Sequence, residues 1–200
     1  MITTIIFDLS EVYLQGLAGV EHYLEPIINI KANEIKSGIR GPELIALFHG
    51  ELSEEEYWLK IIEKNNWKVD VNTFKKAVRD NFKEIKGTRE IIEQLNENGF
   101  KLGLLSVHTK EWIDHCLQKY DYHKLFHTTL YSFEVAASKP DKKVYHLILQ
   151  RLGATPEECL FIDDNPKNLV PAQELGIATI LFKNPEQLKK ELTSLGIKIH

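Results

Sequence analysis

The 200-residue chain predicts an α/β protein, a Rossmann-like doubly wound parallel sheet carrying an inserted helical cap. Three observations lead there. Ile5-Ile6-Phe7-Asp8-Leu9-Ser10 reads as an apolar N-terminal strand that delivers a carboxylate to its end. Leu160-Phe161-Ile162-Asp163-Asp164-Asn165 repeats the design and ends in paired carboxylates. From Gly87 onward helical and strand patterns alternate, which implies parallel strands joined by right-handed crossovers.

Each element has its own reason. Residues 88–95 have helical apolar spacing, and Asn98-Gly99 stops them. Residues 100–106 follow as a buried strand, residues 110–119 as a helix, and residues 128–132 as a short strand. Lys139-Pro140 is expected to open the next helix, because proline suits a first turn; that helix runs to about Leu152, before Gly153. Residues 160–163 form a strand, 166–175 a helix ended by Gly176, 177–182 a last strand and 185–195 a closing surface helix.

Residues 15–85 offer no clear strand. Glu54 to Ile62 is an amphipathic helix capped by Ser53, with the acids Glu54, Glu55 and Glu56 complementing the dipole of its first turn. Residues 71–82 form another, with Asn72 as its cap. An insert placed just after the first strand lies at the C-terminal edge of the sheet. The expected division is a core of residues 1–14 and 86–200 and a helical cap domain of residues 15–85. Trp58, Trp67, Tyr13 and Tyr57 are expected to be packed inside it.

Bulk properties narrow the function. With 43% apolar and 27% charged residues and a net charge of −4, nothing calls for nucleic acid or an anionic membrane as partner. No apolar run is long enough to span a bilayer. The start lacks a basic region and a cleavage site, so a cytoplasmic protein is expected. Cys116 and Cys159 fit no metal or redox spacing.

The chemistry gathers at strand ends, where open parallel sheets bind ligands. Asp8 could be a nucleophile or a metal ligand. Ser106 could donate to an anion, and Lys139 could neutralise both Asp8 and a phosphoryl group. Asp163 and Asp164 complete an oxygen-rich site of the kind Mg²⁺ prefers. A lone aspartate or lysine at such a place is usually a cap or a solvated side chain. Four such elements in order favour a site. Seven of the eight histidines show no ligand spacing, and His108 alone is balanced between surface residue and site neighbour.

This order resembles the haloacid dehalogenase superfamily over essentially the whole chain. The strand ending in Asp8 is similar to its first motif, Leu104-Leu105-Ser106 to the second, Ser138-Lys139-Pro140-Asp141 to the third, and Phe161 through Asn168 to the fourth. The helical insert resembles the cap of subclass I. Within it the chain is similar to small sugar-phosphate phosphatases and to the N-terminal phosphatase domain of soluble epoxide hydrolases. The resemblance implies a Mg²⁺-dependent phosphatase of a small phosphorylated metabolite, with Asp8 forming an aspartyl-phosphate. Asp8, the Ser10 backbone carbonyl and Asp164 would hold the metal, with Asp163 acting directly or through water. Ser106 and Lys139 would bind the phosphoryl oxygens.

Two positions depart from the family pattern. Ser10 stands where most phosphatases of the superfamily carry a second aspartate, the general acid and base, a function worth ~10²–10⁴-fold in rate. Glu11 and His108 are the nearest titratable substitutes. Val107 follows Ser106 where asparagine is usual. The alternatives are a catalytically weak member that binds a phosphorylated ligand or protein partner, and a metal-free dehalogenase. Asp163 and Asp164 speak against the latter.

Overall fold

A computed structural model describes residues 1–199. The chain opens with β1 (Thr4–Phe7) and then makes five helices: α1 (Val20–Ile28), α2 (Ala32–Gly38), α3 (Pro42–Phe48), α4 (Glu54–Lys64) and α5 (Val71–Asn81). Next come α6 (Thr88–Glu97), β2 (Lys101–Ser106), α7 (Lys110–Lys119), β3 (Thr128–Tyr131) and a single turn, α8 (Ser132–Val135). The chain continues as α9 (Lys142–Leu152), β4 (Cys159–Asp163), α10 (Pro166–Glu174), β5 (Ala178–Leu181) and α11 (Pro185–Ser194).

The five strands form one parallel sheet in the order β3-β2-β1-β4-β5. It is the predicted Rossmann-like α/β sheet, and the strand order reverses at β1. Helices cover both faces, so the central strands are buried throughout, which is why they read as unbroken apolar runs. Gly103 shows how tightly α9 seats: a Cβ there would lie 2.8 Å from Leu152.

Register decides where the chemistry falls. Phe7 pairs with Ile162 on one side and Leu104 on the other. The next residues along, Asp8 and Asp163, therefore leave the sheet at one level, and equivalent residues of in-register parallel strands point to the same face. The Asp8 N–H still donates to the Ile162 carbonyl at 2.9 Å.

Beyond Asp8 the chain turns sharply. The N–H groups of Tyr13 and Leu14 both donate to the Leu9 carbonyl at 2.9 Å, and Glu11 sits in the left-handed region at φ 60°. The chain then enters the helical insert beside the point where it leaves. Gln15 N–H donates to the Lys83 carbonyl and Ile85 N–H to the Tyr13 carbonyl, each at 2.8 Å, and Leu14 bridges Glu84 in antiparallel fashion.

Inside the insert Trp58, Phe74 and Trp67 stack, with ring centroids 4.7 and 5.6 Å apart. Trp58, Trp67, Tyr13 and Tyr57 are all buried, as expected of packing residues. The insert shares one apolar cluster with the sheet, running from Leu24 and Trp58 to Trp112 and Ile162.

Several local expectations need correction. Pro140 does not open a helix: α9 starts at Lys142, and Asp141 caps it by accepting the Lys143 N–H at 2.8 Å. Asp70, not Asn72, caps α5, because its carboxylate takes the Asn72 N–H at 3.0 Å. Ser53 does cap α4, in a reciprocal box with Glu56. The acidic first turn of α4 is more than a dipole effect. Glu54 is buried and receives Arg79 through both oxygens at 2.7 and 2.6 Å, and the Trp112 indole N–H at 2.8 Å. Since Trp112 lies on α7, this carboxylate ties the insert to the sheet.

Candidate active site

At the switch point above β1, carboxylate oxygens of Asp8, Asp163 and Asp164 lie within 4.8 Å of one another. Lys139 reaches in from the segment before α9. Its ammonium stands 2.8 Å from Asp8 Oδ1 and 2.7 Å from Asp163 Oδ2. Burial disfavours the lysine charge, but Asp163 and Asp8 outweigh it, so the pKa of Lys139 is raised and the ammonium persists.

The two aspartates that meet Lys139 differ in what remains free. Asp163 is fully buried; Oδ1 accepts the Asn165 N–H at 2.8 Å and Oδ2 the lysine. The Asn168 amide spans both oxygens at 3.0 and 3.1 Å. Asp8 offers Oδ1 to the Leu9 N–H at 2.7 Å and to Lys139, which leaves Oδ2 without a partner among the described residues. Burial pushes the Asp8 carboxyl up to about 8 against the pull of Lys139, with Asp163 and Asp164 adding to the rise. Asp164, half-buried, is pushed up to about 6 by burial and by Asp163. Carboxyls crowded and buried in this way favour either a proton or a further cation between them.

A cavity of about 380 Å³ opens on this cluster. Asp8, Ser10, Glu11, Lys139, Asp164 and Asn165 line its sheet side. Glu11 is held by the Gly16 N–H at 2.8 Å, and burial raises its pKa. Ser106 ends β2 as expected, but it is not among the lining residues; its neighbours Val107 and His108 are. The Ser106 hydroxyl is buried and has no partner among the described residues, a donor that folding leaves unused.

His108 is buried, with its ring against Phe82 and Trp112 at 5.4 and 5.6 Å. Burial drives its pKa down to about 4, so the imidazole is neutral at pH 7. The pKa is thus lower in the folded than in the unfolded state. Unfolded chains bind the extra proton first, and stability falls as pH drops below the unfolded value toward 4. We expect the wild type to lose about 2 kcal/mol more than a His108→Asn variant between pH 7 and pH 5, measured by urea denaturation. Equal losses would mean that the ring is free to ionise.

Several cavity residues take roles that the sequence does not assign. Asn168 bonds Asp163 from one turn into α10. Phe48, Phe82 and Trp112 come from three separated segments and make an aromatic wall. Lys36 and Arg40 enter from the insert. Only the fold gathers them.

The molecule is thus a Rossmann-like α/β protein with an acidic, lysine-bridged crevice at the switch point of its sheet, where open parallel sheets bind ligands. The chain belongs to the haloacid dehalogenase-like hydrolase family, whose model matches residues 5–182. It is 28% identical over 130 residues to flavin mononucleotide hydrolase 1 of Arabidopsis thaliana, covering 65% of this chain and 53% of that protein. It is 30% identical over 116 residues to a phosphorylated carbohydrates phosphatase of Thermotoga maritima, covering 58% of this chain and 54% of that one. The chain thus spans about half the length of these curated relatives. Among solved structures, a HAD family enzyme of Bacteroides thetaiotaomicron in complex with magnesium and inorganic phosphate superposes with a TM-score of 0.78. That match has 20% identity and covers 92% of this chain and 96% of the other. No described helix is long and apolar enough to cross a membrane.

Proposed function

We propose that this protein is a Mg²⁺-dependent phosphatase of small phosphorylated metabolites, with residues 15–85 acting as a cap over the site. The observation that carries the reading is the grouping of Asp8, Asp163 and Asp164 around a buried Lys139, with one oxygen of Asp8 left free. Phosphatases among the relatives support it.

The donor set suits a hard cation: three carboxylates, mutually close, with no thiol or imidazole among them. Asp8, Asp164 and the Ser10 backbone carbonyl would hold Mg²⁺. Asp163, both of whose oxygens are engaged, supports it from behind and fixes Lys139. Bound there, the ion supplies charge neutralisation for the phosphoryl oxygens and for the carboxylates themselves.

The remaining work belongs to the chain. Lys139 and the Leu9 N–H hold Oδ1 of Asp8, which leaves Oδ2 as the atom that would attack phosphorus. Attack forms the Asp8–phosphorus bond and breaks the bond to the leaving oxygen; water then cleaves the aspartyl-phosphate. The Ser106 hydroxyl, unpartnered but buried behind the cavity lining, would reach a phosphoryl oxygen only by turning toward the cavity. Lys139 opposes the charge that builds on the same group.

The leaving oxygen needs a proton, and Ser10 cannot give one near neutral pH. A slow enzyme follows. We expect Ser10→Asp to raise kcat on an unactivated alkyl ester, phenethyl phosphate, by at least about tenfold, since its alkoxide leaving oxygen needs a proton and a positioned acid is worth ~10²–10⁴. An unchanged rate would count against a missing acid as the limit. The same serine motivates a second reading, a member that binds phosphorylated ligands with little turnover. Hydrolysis of an aryl phosphate with and without Mg²⁺ separates the two. Metal-dependent release supports the enzyme, whereas tight Mg²⁺-dependent binding of a metallofluoride without release supports the binder.

A further inference from the structure

The cavity is much larger than a phosphate group needs. At about 380 Å³ it falls within the ~300–1,000 Å³ of small-molecule clefts, so most of its lining must meet the rest of the ligand. That lining divides by chemistry. Besides the acidic cluster it includes an apolar set, Leu44, Phe48, Phe82 and Trp112. The insert contributes two cations to the same lining, Lys36 from α2 and Arg40 just past its end, together with the acid Glu21.

The fold itself gives these cations little to do. Arg40 is exposed and makes no side-chain hydrogen bond or ion pair among the described residues. Lys36 has one acid in range, Glu21, at 3.9 Å. That carboxylate also takes the Gly19 N–H at 3.1 Å. A pair kept at the wall of a cavity, with the second member free, is arranged to receive an anion from outside the chain.

We propose that Lys36 and Arg40 form a second anion subsite, which selects phosphate monoesters whose apolar frame carries a further anionic group. In this reading the phosphoryl end sits at Asp8 and Lys139. The carbon frame lies against Phe48, Phe82 and Trp112, and a carboxylate or second phosphate meets the two cations. Arg40 offers a planar fork suited to either anion, and Lys36 a point charge. The subsite rests on the phosphatase reading for its first anchor, but its test does not.

The test uses three phenethyl phosphates that differ only in the para substituent: carboxamide, carboxylate or phosphonate. With Mg²⁺ present, kcat/KM for both anionic esters should exceed that for the carboxamide by about tenfold, the scale of a charge-assisted hydrogen bond. The preference should fade at high salt, since both cations are solvent-exposed. In the Lys36→Gln/Arg40→Gln double variant the ratio should fall close to one. Both residues are exposed, so the variant should fold. The better of the two anions identifies the natural group. Equal rates for all three esters in the wild type, or a preference that survives in the double variant, overturns the subsite. If no ester is hydrolysed, the phosphatase reading fails by itself. Calorimetric affinities of the same three compounds, with Mg²⁺ and each protein, then decide the subsite on the same ratio.

Discussion

Asp8→Asn should lower kcat for Mg²⁺-dependent phosphate release on the order of 10⁴-fold or more while leaving the protein folded, and even raising its thermal midpoint. The two halves of this expectation have one cause. Asp8 is almost fully buried, and burial raises its carboxyl to about 8 despite the adjacent lysine. The folded state therefore pays for the ionised group that the chemistry needs. An amide keeps the shape and still accepts from Leu9 and Lys139, but it cannot attack phosphorus. Lys139 retains Asp163 as its counter-ion at 2.7 Å, so no buried charge is stranded. Steady-state rates on p-nitrophenyl phosphate and a thermal melt without metal measure both effects. A variant that keeps most of its activity removes Asp8 from the chemistry; one that melts earlier removes the electrostatic account of its burial.

Glu54→Ala should cost about 3 kcal/mol, at the low end for breaking a buried ion pair because Arg79 can partly reach water. The Glu54 side chain is 3% exposed and that of Arg79 27%. Removing the carboxylate also strands the indole N–H of Trp112, which bonds it at 2.8 Å. Trp112 lines the cavity, so KM should rise along with the loss of stability. Urea midpoints read the first effect and initial rates the second. Replacing both members, as Glu54→Met with Arg79→Met, should recover most of the stability, since an apolar pair strands only the indole donors. A single-variant loss below about 1 kcal/mol would mean that the pair behaves as a surface contact and that the insert is tied down elsewhere.

The contrast between these two residues explains what could be read in advance. Asp8 announces itself because a buried strand ending in a carboxylate is a local pattern. Parallel register then carries it to Asp163 without further information. Glu54 looked like an ordinary first-turn acid, and its partners lie 25 and 58 residues away. Caps behaved the same way. Ser53 was legible because its partner Glu56 is three residues on. Asp70 and Asn72 could both serve α5 by type, and only backbone geometry chose Asp70. Pro140 misled for a related reason: it stands next to the better cap, Asp141, so the helix begins later. Asn168 sat in plain view beside the paired carboxylates, yet its task of holding Asp163 depends on the first turn of α10. The aromatic and cationic walls were illegible because they come from segments that meet only after the insert folds back over the sheet.

The insert begins and ends at one neck, where residues 13–15 run beside residues 83–85. This makes the molecule a socket with an exchangeable fitting. The two chain ends at the neck are already within hydrogen-bond reach, so a tight turn would rejoin them if everything between were removed. Asp8, Ser106, Lys139, Asp163 and Asp164 all lie outside that stretch. On the proposed function, the insert could therefore be exchanged, and substrate choice with it, without touching these five side chains. The constraint lies on the underside of the graft. It must bring apolar cover for Trp112 and Ile113, which the present insert shares in one cluster, and a buried acid to meet the Trp112 indole.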